Sequence, residues 1–130
     1  MSCLSKCLRY TVELPPITKK NSQRIIKVGN ARKVIPSAQF MEYEWGAGWF
    51  LNPKPAEPID YPVEVECKFY MPTRRRVDLT NLLEAIDDIL VKYGILADDH
   101  CKIIVSHDGS RVLYDKERPR TEVLIRAMTE

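Results

Sequence analysis

The alternation of hydrophobic and polar positions predicts a β-strand near the start of the chain, followed by a hairpin. Residues 8–14 alternate in this way, and Pro15-Pro16 ends the pattern. The polar, basic residues 17–24 come next, and we expect them to form a cationic loop. Within residues 25–35, Gly29-Asn30 separates two short apolar runs and supplies the positive φ angles that a tight hairpin turn needs.

The next segment predicts a helix and then a connector on the surface. Ser37 is placed to cap a helix that runs to about Leu51. Trp45 and Trp49 lie at helical spacing; such residues can stack on nucleobases, but we expect them in the core. Residues 52–62 contain four prolines and no apolar periodicity, which indicates a surface connector rather than a domain boundary.

The second half of the chain carries the clearest signals. Residues 63–69 alternate apolar and charged side chains, which predicts a strand with one buried face. Leucine and isoleucine then recur every three or four positions between Asp78, which is placed to cap a helix, and Gly94, which is placed to end it. Residues 102–107 and 121–128 predict two more strands.

This order of elements predicts an α+β fold, a two-layer domain with a mixed β-sheet packed by two main helices. A length of 130 residues suggests one domain, spanning residues 1–130, with a self-supporting core. No apolar stretch approaches the ~18 residues that cross a bilayer, and the first residues lack the apolar run of a secretion signal. We therefore expect a cytoplasmic protein without a membrane partner.

The composition excludes few functions, so the positions of charged and reactive residues matter more. The net charge is only +2, which does not identify a nucleic-acid binder. The four cysteines form no CxxC pair, so we expect reduced thiols, with Cys67 in the core. The sequence has no GxGxxG, P-loop or GxSxG motif. His107 beside Asp108 is either a proton shuttle or a polar residue that ends a strand.

Acidic residues mark the predicted second helix and the turn after it. One helix face carries polar side chains three and four residues apart: Asn81, Glu84 and Asp88. Asp98-Asp99 follow the helix, ~20 Å from Asp78 unless a neighbouring chain or chain curvature closes the gap. These residues are either an ordinary solvated face or a site for Mg²⁺, with Mn²⁺ as a second candidate, because such ions prefer carboxylate oxygens.

Basic residues flank these acidic ones along the chain. They are Lys19, Lys20, Arg24, Arg32, Lys33, Arg74, Arg75, Arg76, Lys116, Arg118 and Arg120. Each run alone is typical of a solvated surface. Together they fit a basic surface around an acidic pocket, the arrangement with which nucleases hold a polyanion while metal ions neutralise the scissile phosphate.

At these residues the sequence resembles the RusA family of Holliday junction resolvases, small homodimeric Mg²⁺-dependent endonucleases often carried by prophages. The family pattern is a Pro-Pro loop with Lys and Asn, a basic run, then D-x-D-N-x-x-K, a further helical Asp and a D-D pair. This chain has the same order in Pro15-Pro16, Lys19, Lys20, Asn21, Arg74-Arg75-Arg76, Asp78, Asn81, Asp88 and Asp98-Asp99. The resemblance covers residues 10 to about 128 and implies a RusA-like fold.

The resemblance implies that Asp78 and Asp99 are metal-binding catalytic carboxylates, and that the two sites of a homodimer lie near the subunit interface. Two positions depart from the pattern: Thr80 replaces the second Asp, and Glu84 replaces the catalytic Lys. We hypothesise that Glu84 is catalytic, that Asp88 and Thr80 join the metal shell, and that a basic residue replaces the missing cation. The DNA-binding candidates are Lys19, Lys20, Asn21, Arg74, Arg75, Arg76, Lys116 and Arg118.

We therefore expect a Mg²⁺-dependent endodeoxyribonuclease that resolves four-way DNA junctions by paired phosphodiester hydrolysis, in recombination and repair. The main alternative is a catalytically degenerate protein that binds branched DNA without cutting it. A further alternative is a small interaction domain with an acidic patch and no nucleic-acid partner.

Overall fold

Two helices and seven strands form in residues 7–19 and 23–128, the part of the chain that the structure, a computed structural model, describes. In chain order they are β1 (Cys7–Val12), β2 (Gln23–Val28), β3 (Ala31–Pro36), α1 (Ala38–Ala47), β4 (Val63–Met71), α2 (Leu79–Lys92), β5 (Ile104–Ser106), β6 (Arg111–Tyr114) and β7 (Arg120–Ala127). Every element expected from the sequence is present within a few residues of its expected bounds.

The main sheet is mixed, as predicted. Its strands lie in the order β1-β7-β4-β5, and β6 also pairs with β4, beyond β5 along the same edge. The β1–β7 and β4–β7 pairs are antiparallel, whereas β5 and β6 run parallel to β4. The β2–β3 hairpin forms a separate two-stranded sheet, and Gly29 in its turn has the expected positive φ of 61°.

One face of β4 contributes its side chains to the hydrophobic core. Its buried side chains are Val63, Val65, Cys67 and Phe69. They belong to one cluster with Phe40 of α1 and Ile86 of α2, so both helices cover this face. The opposite face carries ion pairs, including Arg126 Nη2 to Glu64 Oε1 at 2.6 Å. The predicted two-layer α+β fold is therefore confirmed, and so is the position of Cys67 in the core.

The second helix, α2, begins and ends close to its predicted caps. Asp78 is the N-cap residue, and its carbonyl accepts the Leu82 N–H at 3.2 Å, but its side chain makes no capping hydrogen bond. Gly94 lies just beyond the helix with a φ of 80°, which suits a glycine at this position. Among the described residues, no helix is long and apolar enough to cross a bilayer.

Strand β6 was not predicted from the sequence. It follows the turn at Asp108-Gly109 and pairs with residues 68–71 of β4. With only four residues, at the edge of the sheet and mostly exposed, it lacks the alternation that marks a half-buried strand.

The prediction that Trp45 and Trp49 lie in the core is wrong. Their exposed fractions are 65% and 69%. Helix α1 instead buries Phe40, Tyr43 and Ala47, spaced by three and four residues, and Trp45 falls outside that stripe. Trp49 lies in the 3₁₀ turn that follows α1.

Candidate active site

The chain turns back along α2 after the helix ends, and this return brings Asp99 near Asp88. Ile95 N–H donates to the Leu90 carbonyl at 2.9 Å, which closes the turn. Desolvation, a hydrogen bond with the Asp98 carboxyl and the negative charge of Asp88 raise the pKa of Asp99 above its usual range. Three carboxyl groups therefore lie near one another, that of Asp99 and those of Asp88 and Asp98, which both act on it. We call them the acidic cluster.

Lys19 supplies a cation to this cluster from a distant part of the sequence. Its Nζ donates to Asp88 Oδ2 at 2.9 Å, and the side chain of each partner is 34% exposed. The ammonium also lies 6.0 Å from the centre of the Phe40 ring, on α1. Lys19 was predicted to bind DNA, and in the structure its charge is directed at a carboxylate of the candidate metal shell.

Asp78 lies at the other end of α2. Its Oδ2 accepts a hydrogen bond of 3.3 Å from the Asn81 side-chain amide. Thr80 and Glu84 are exposed one helical turn apart on the face that leads from Asp78 to Asp88. Ten residues of helix separate Asp78 from Asp88, a distance of about 15 Å along the axis. One protomer alone therefore does not bring Asp78 to the acidic cluster.

The acidic cluster fits an open cation site better than a closed one. Across residues 7–19 and 23–128, no three His, Cys, Asp or Glu side chains are arranged to hold a metal ion. Mg²⁺ commonly takes only one or two carboxylates from the protein and keeps water or phosphate oxygens for the rest. Burial first, then the Asp98 hydrogen bond and the charge of Asp88, raise the pKa of Asp99, and a bound divalent cation would favour its ionised form. The donor chemistry therefore fits Mg²⁺, with part of its shell left to a phosphate and water.

A buried pair, Asp87 and His107, lies beside the cluster and was not recognised as a pair from the sequence. His107 Nε2 lies 2.9 Å from Asp87 Oδ2, and its Nδ1 lies 2.8 Å from the Val65 carbonyl oxygen. Asp87 is 9% exposed, and its Oδ1 has no hydrogen-bond partner within the described structure. His107 directly follows β5, which agrees with its interpretation as a polar residue that ends a strand. The sequence signal for this pair is the carboxylate of Asp87, which lies within the apolar stripe of α2.

The hydrogen bonds of His107 determine where its protons lie. A carbonyl oxygen only accepts, so Nδ1 carries a hydrogen, and one further proton must lie between Nε2 and Asp87. Burial lowers the pKa of His107, but the hydrogen bond and charge of Asp87, with the Val65 hydrogen bond, raise it overall. Burial also raises the pKa of Asp87, partly offset by His107. The pair therefore joins α2 to β4 with one shared proton.

The predicted DNA-binding residues fall into two groups. Arg74 stacks on the Tyr114 ring, with Cζ 4.0 Å from its centre, and Arg75 and Arg76 are exposed. In the part of the chain that is described, no ion pair engages any of these three arginines. By contrast, Arg118 Nε donates to Glu13 Oε1 at 3.0 Å.

The remaining DNA-binding candidates are Lys116, Lys20 and Asn21. Lys116 is exposed beside Arg118, on the loop between β6 and β7. Lys20 and Asn21 lie outside the described residues. The arginine run 74–76 is therefore the basic segment best placed to contact a phosphate backbone, because its charges are exposed and lie directly before Asp78.

Comparison with known proteins gives a concordant result. A profile of the family described as "Endodeoxyribonuclease RusA" matches residues 13–126. The "Crossover junction endodeoxyribonuclease RusA" of Aquifex aeolicus (strain VF5) is 29% identical over 103 residues, which cover 78% of this chain and 79% of the relative. The matched family range includes Lys19, the arginine run, Asp78 and the acidic cluster.

Proposed function

The chain belongs to the RusA family of endodeoxyribonucleases, and we propose that it resolves four-way DNA junctions by Mg²⁺-dependent, paired hydrolysis as a homodimer. The observation that carries this proposal is the acidic cluster, which crowds three carboxyl groups beside Lys19 at the end of α2. In this proposal residues 1–130 form one domain. The cytoplasmic location stays a prediction.

Asp99 and Asp88 hold the divalent cation in this proposal, with Mn²⁺ as a possible replacement for Mg²⁺. When bound, the cation supplies Lewis-acid stabilisation of the charge that develops on the scissile phosphate. Lys19 lies at hydrogen-bonding distance from Asp88, so it is placed to add a second positive charge near that phosphate. The family pattern has a lysine where this chain has Glu84. Lys19 is thus our candidate for the missing positive charge.

Asp78 joins the site from the other protomer in this proposal. The length of α2 keeps Asp78 about 15 Å from Asp88 within one chain, so a shared cation requires a second copy. A twofold-symmetric homodimer then presents two identical sites, which suits paired incisions in a four-way junction. Glu84 and Thr80, exposed between the two ends of α2, are secondary candidates for oxygen ligands.

The exposed arginines 74–76 bind phosphates and position the DNA, because no carboxylate of the described chain already pairs with them. Lys116 lies exposed on the loop between β6 and β7 and contributes charge more distantly. Arg118 reaches DNA only if its bond to Glu13 opens, so we expect its contribution to be small. Lys20 and Asn21 stay candidates on the basis of the sequence.

A second function, binding branched DNA without cutting it, is favoured by one observation. Thr80 and Glu84 stand where the family pattern has a carboxylate and a lysine, and a neutral hydroxyl and an added negative charge are poor substitutes for these. In that case the arginine run would retain the junction, and the acidic cluster would have no catalytic role.

The test is cleavage of a labelled synthetic four-way junction by the purified protein. We expect paired nicks with Mg²⁺ or Mn²⁺ and none in EDTA. Asp99→Asn should abolish cutting and leave junction binding nearly unchanged, because it removes a metal ligand rather than a phosphate contact. Glu57→Gln, which alters an exposed carboxylate of the connector, is the control. Binding without nicks under all metal conditions would support the non-cutting alternative, and equal loss of cutting and binding in Asp99→Asn would make Asp99 structural.

A further inference from the structure

An apolar groove of about 640 Å³ lies between α1, the segment after β1 and the end of β4. Pro15 and Pro16 form one wall, Trp45 belongs to the α1 wall, and Met71 lies at the end of β4. Arg75 also lines this groove. The groove therefore combines apolar and aromatic walls with a guanidinium group from the arginine run.

Trp45 is an unusual residue to leave exposed. It is 65% exposed, and its ring meets that of Trp49 edge to face, with centres 5.8 Å apart. The two indoles therefore bury each other only in part, and most of the Trp45 surface stays open to a ligand. An exposed aromatic ring in a basic groove is the usual platform on which proteins stack unpaired nucleobases.

Charge selects a nucleotide over a second protein chain as the occupant. Arg75 and Glu42 both line the groove, and Arg74 and Arg76 flank Arg75 in sequence, so the arginine run brings more positive charge to this end of the groove than Glu42 offsets. A nucleotide matches this combination, because the faces of its base are flat aromatic surfaces while its phosphate is anionic. Aromatic residues, Met and Arg are also enriched in protein interfaces, so the arginine run beside the groove, rather than the composition of the groove, favours the nucleotide.

We propose that the groove receives an unstacked nucleobase from the branch point of the DNA junction, with Trp45 stacking on the base and Arg75 binding its phosphate. This inference rests on the proposed function, because a branch point offers bases that are already weakly paired and cost less to extrude. It adds a base-binding site to a surface that otherwise contacts only phosphates. Trp45 thereby favours branched DNA over linear duplex.

The test uses the two tryptophans of the chain as a matched pair. They are the only ones in the sequence, and both are exposed to a similar extent. We expect Trp45→Ala to weaken junction binding in EDTA about tenfold and Trp49→Ala to weaken it much less. Affinity for linear duplex and the dependence of affinity on salt should stay unchanged in Trp45→Ala, because no phosphate contact is lost. Trp45→Phe, which keeps an aromatic ring, should restore most of the affinity.

Tryptophan fluorescence provides a second reading. In Trp49→Phe, where Trp45 is the sole indole, the junction should quench the emission strongly, and linear duplex should quench it weakly. Equal junction affinities of Trp45→Ala and Trp49→Ala would overturn the proposal, and so would a loss of dimer mass in Trp45→Ala, which would make the groove a protein interface. If wild-type protein neither binds nor cuts the junction, the proposed function itself fails; if it does either and Trp45→Ala behaves like wild type, only the groove is refuted.

Discussion

At the scale of single residues, the Asp87–His107 pair is the feature that a simple pattern of charges would have missed. A carboxyl group that is 9% exposed is costly unless it is paired, and His107 satisfies Oδ2 while also donating to the Val65 carbonyl. Through these two bonds the imidazole ties the middle of α2 to β4. The neighbouring residue in α2 is Asp88, so the pair also holds the stretch of helix backbone that carries one residue of the acidic cluster.

The raised pKa of His107 predicts how stability depends on pH. The folded protein holds this proton more tightly than the unfolded chain, whose histidine titrates near 6.5. The stabilisation is therefore complete below that pH and is lost as pH rises through the folded pKa. We expect the free energy of unfolding, measured with urea, to fall as the pH rises from about 6.5 through the raised pKa of His107 in the folded protein.

His107→Gln tests the source of that dependence. It should cost about 1–3 kcal/mol at low pH, because Asp87 loses a partner, and it should flatten the pH dependence. His100→Gln is the control, since His100 is exposed and its ring Nδ1 accepts a hydrogen bond from the nearby Lys102 backbone N–H at 3.2 Å. An unchanged slope in His107→Gln would assign the pH dependence to other groups.

At the scale of elements, periodicity predicted β4 and α2 well because each has a single buried face. The short edge strand β6 was missed because four mostly exposed residues carry no alternation. The predicted burial of the two tryptophans was wrong because helical spacing alone does not tell which residues of α1 form the buried stripe. The acidic positions were readable from the sequence, whereas the contact of Lys19 with Asp88 joins residues 69 positions apart, and no local pattern encodes it.

That long-range contact leads to a prediction about Lys19. Lys19→Ala should lower kcat for junction cleavage about a hundredfold, because one stabilising charge near the phosphate is removed. It should change stability by less than about 1 kcal/mol, since the ion pair is partly exposed. Lys68→Ala breaks a partly exposed pair with Glu66, of 3.8 Å, on the face of β4 that points away from the helices, and should leave kcat unchanged. Equal effects of the two substitutions would remove Lys19 from the site.

The arginine run gives a prediction for the loop that precedes α2. Arg75→Ala should weaken binding to DNA of every sequence and lower the slope of log affinity against log salt by about one unit, as expected for one phosphate contact. Filter binding over a range of salt concentrations measures this slope. Lys54→Ala, an exposed lysine of the connector, is the control, and an unchanged slope in Arg75→Ala would exclude a phosphate contact at this residue.

At the scale of the whole molecule, α2 separates two groups of candidate site residues. Asp78 and the arginine run lie at the start of the helix, and the acidic cluster with Lys19 lies toward its end. The helix keeps Asp78 about 15 Å from Asp88 along its axis, so in our proposal a second chain brings Asp78 to the acidic cluster. A homodimer is thus a requirement of the proposed chemistry as well as of paired incision.

The most direct test of this account mixes two inactive variants, Asp78→Asn and Asp99→Asn, and follows nicking of the four-way junction with Mg²⁺. In a heterodimer of the two, one shared site keeps both aspartates and the other loses both. We therefore expect the mixture to regain nicking, with about a quarter of the wild-type sites intact after random exchange of subunits. A mixture that stays as inactive as each variant alone, although subunits exchange, would contradict the shared site.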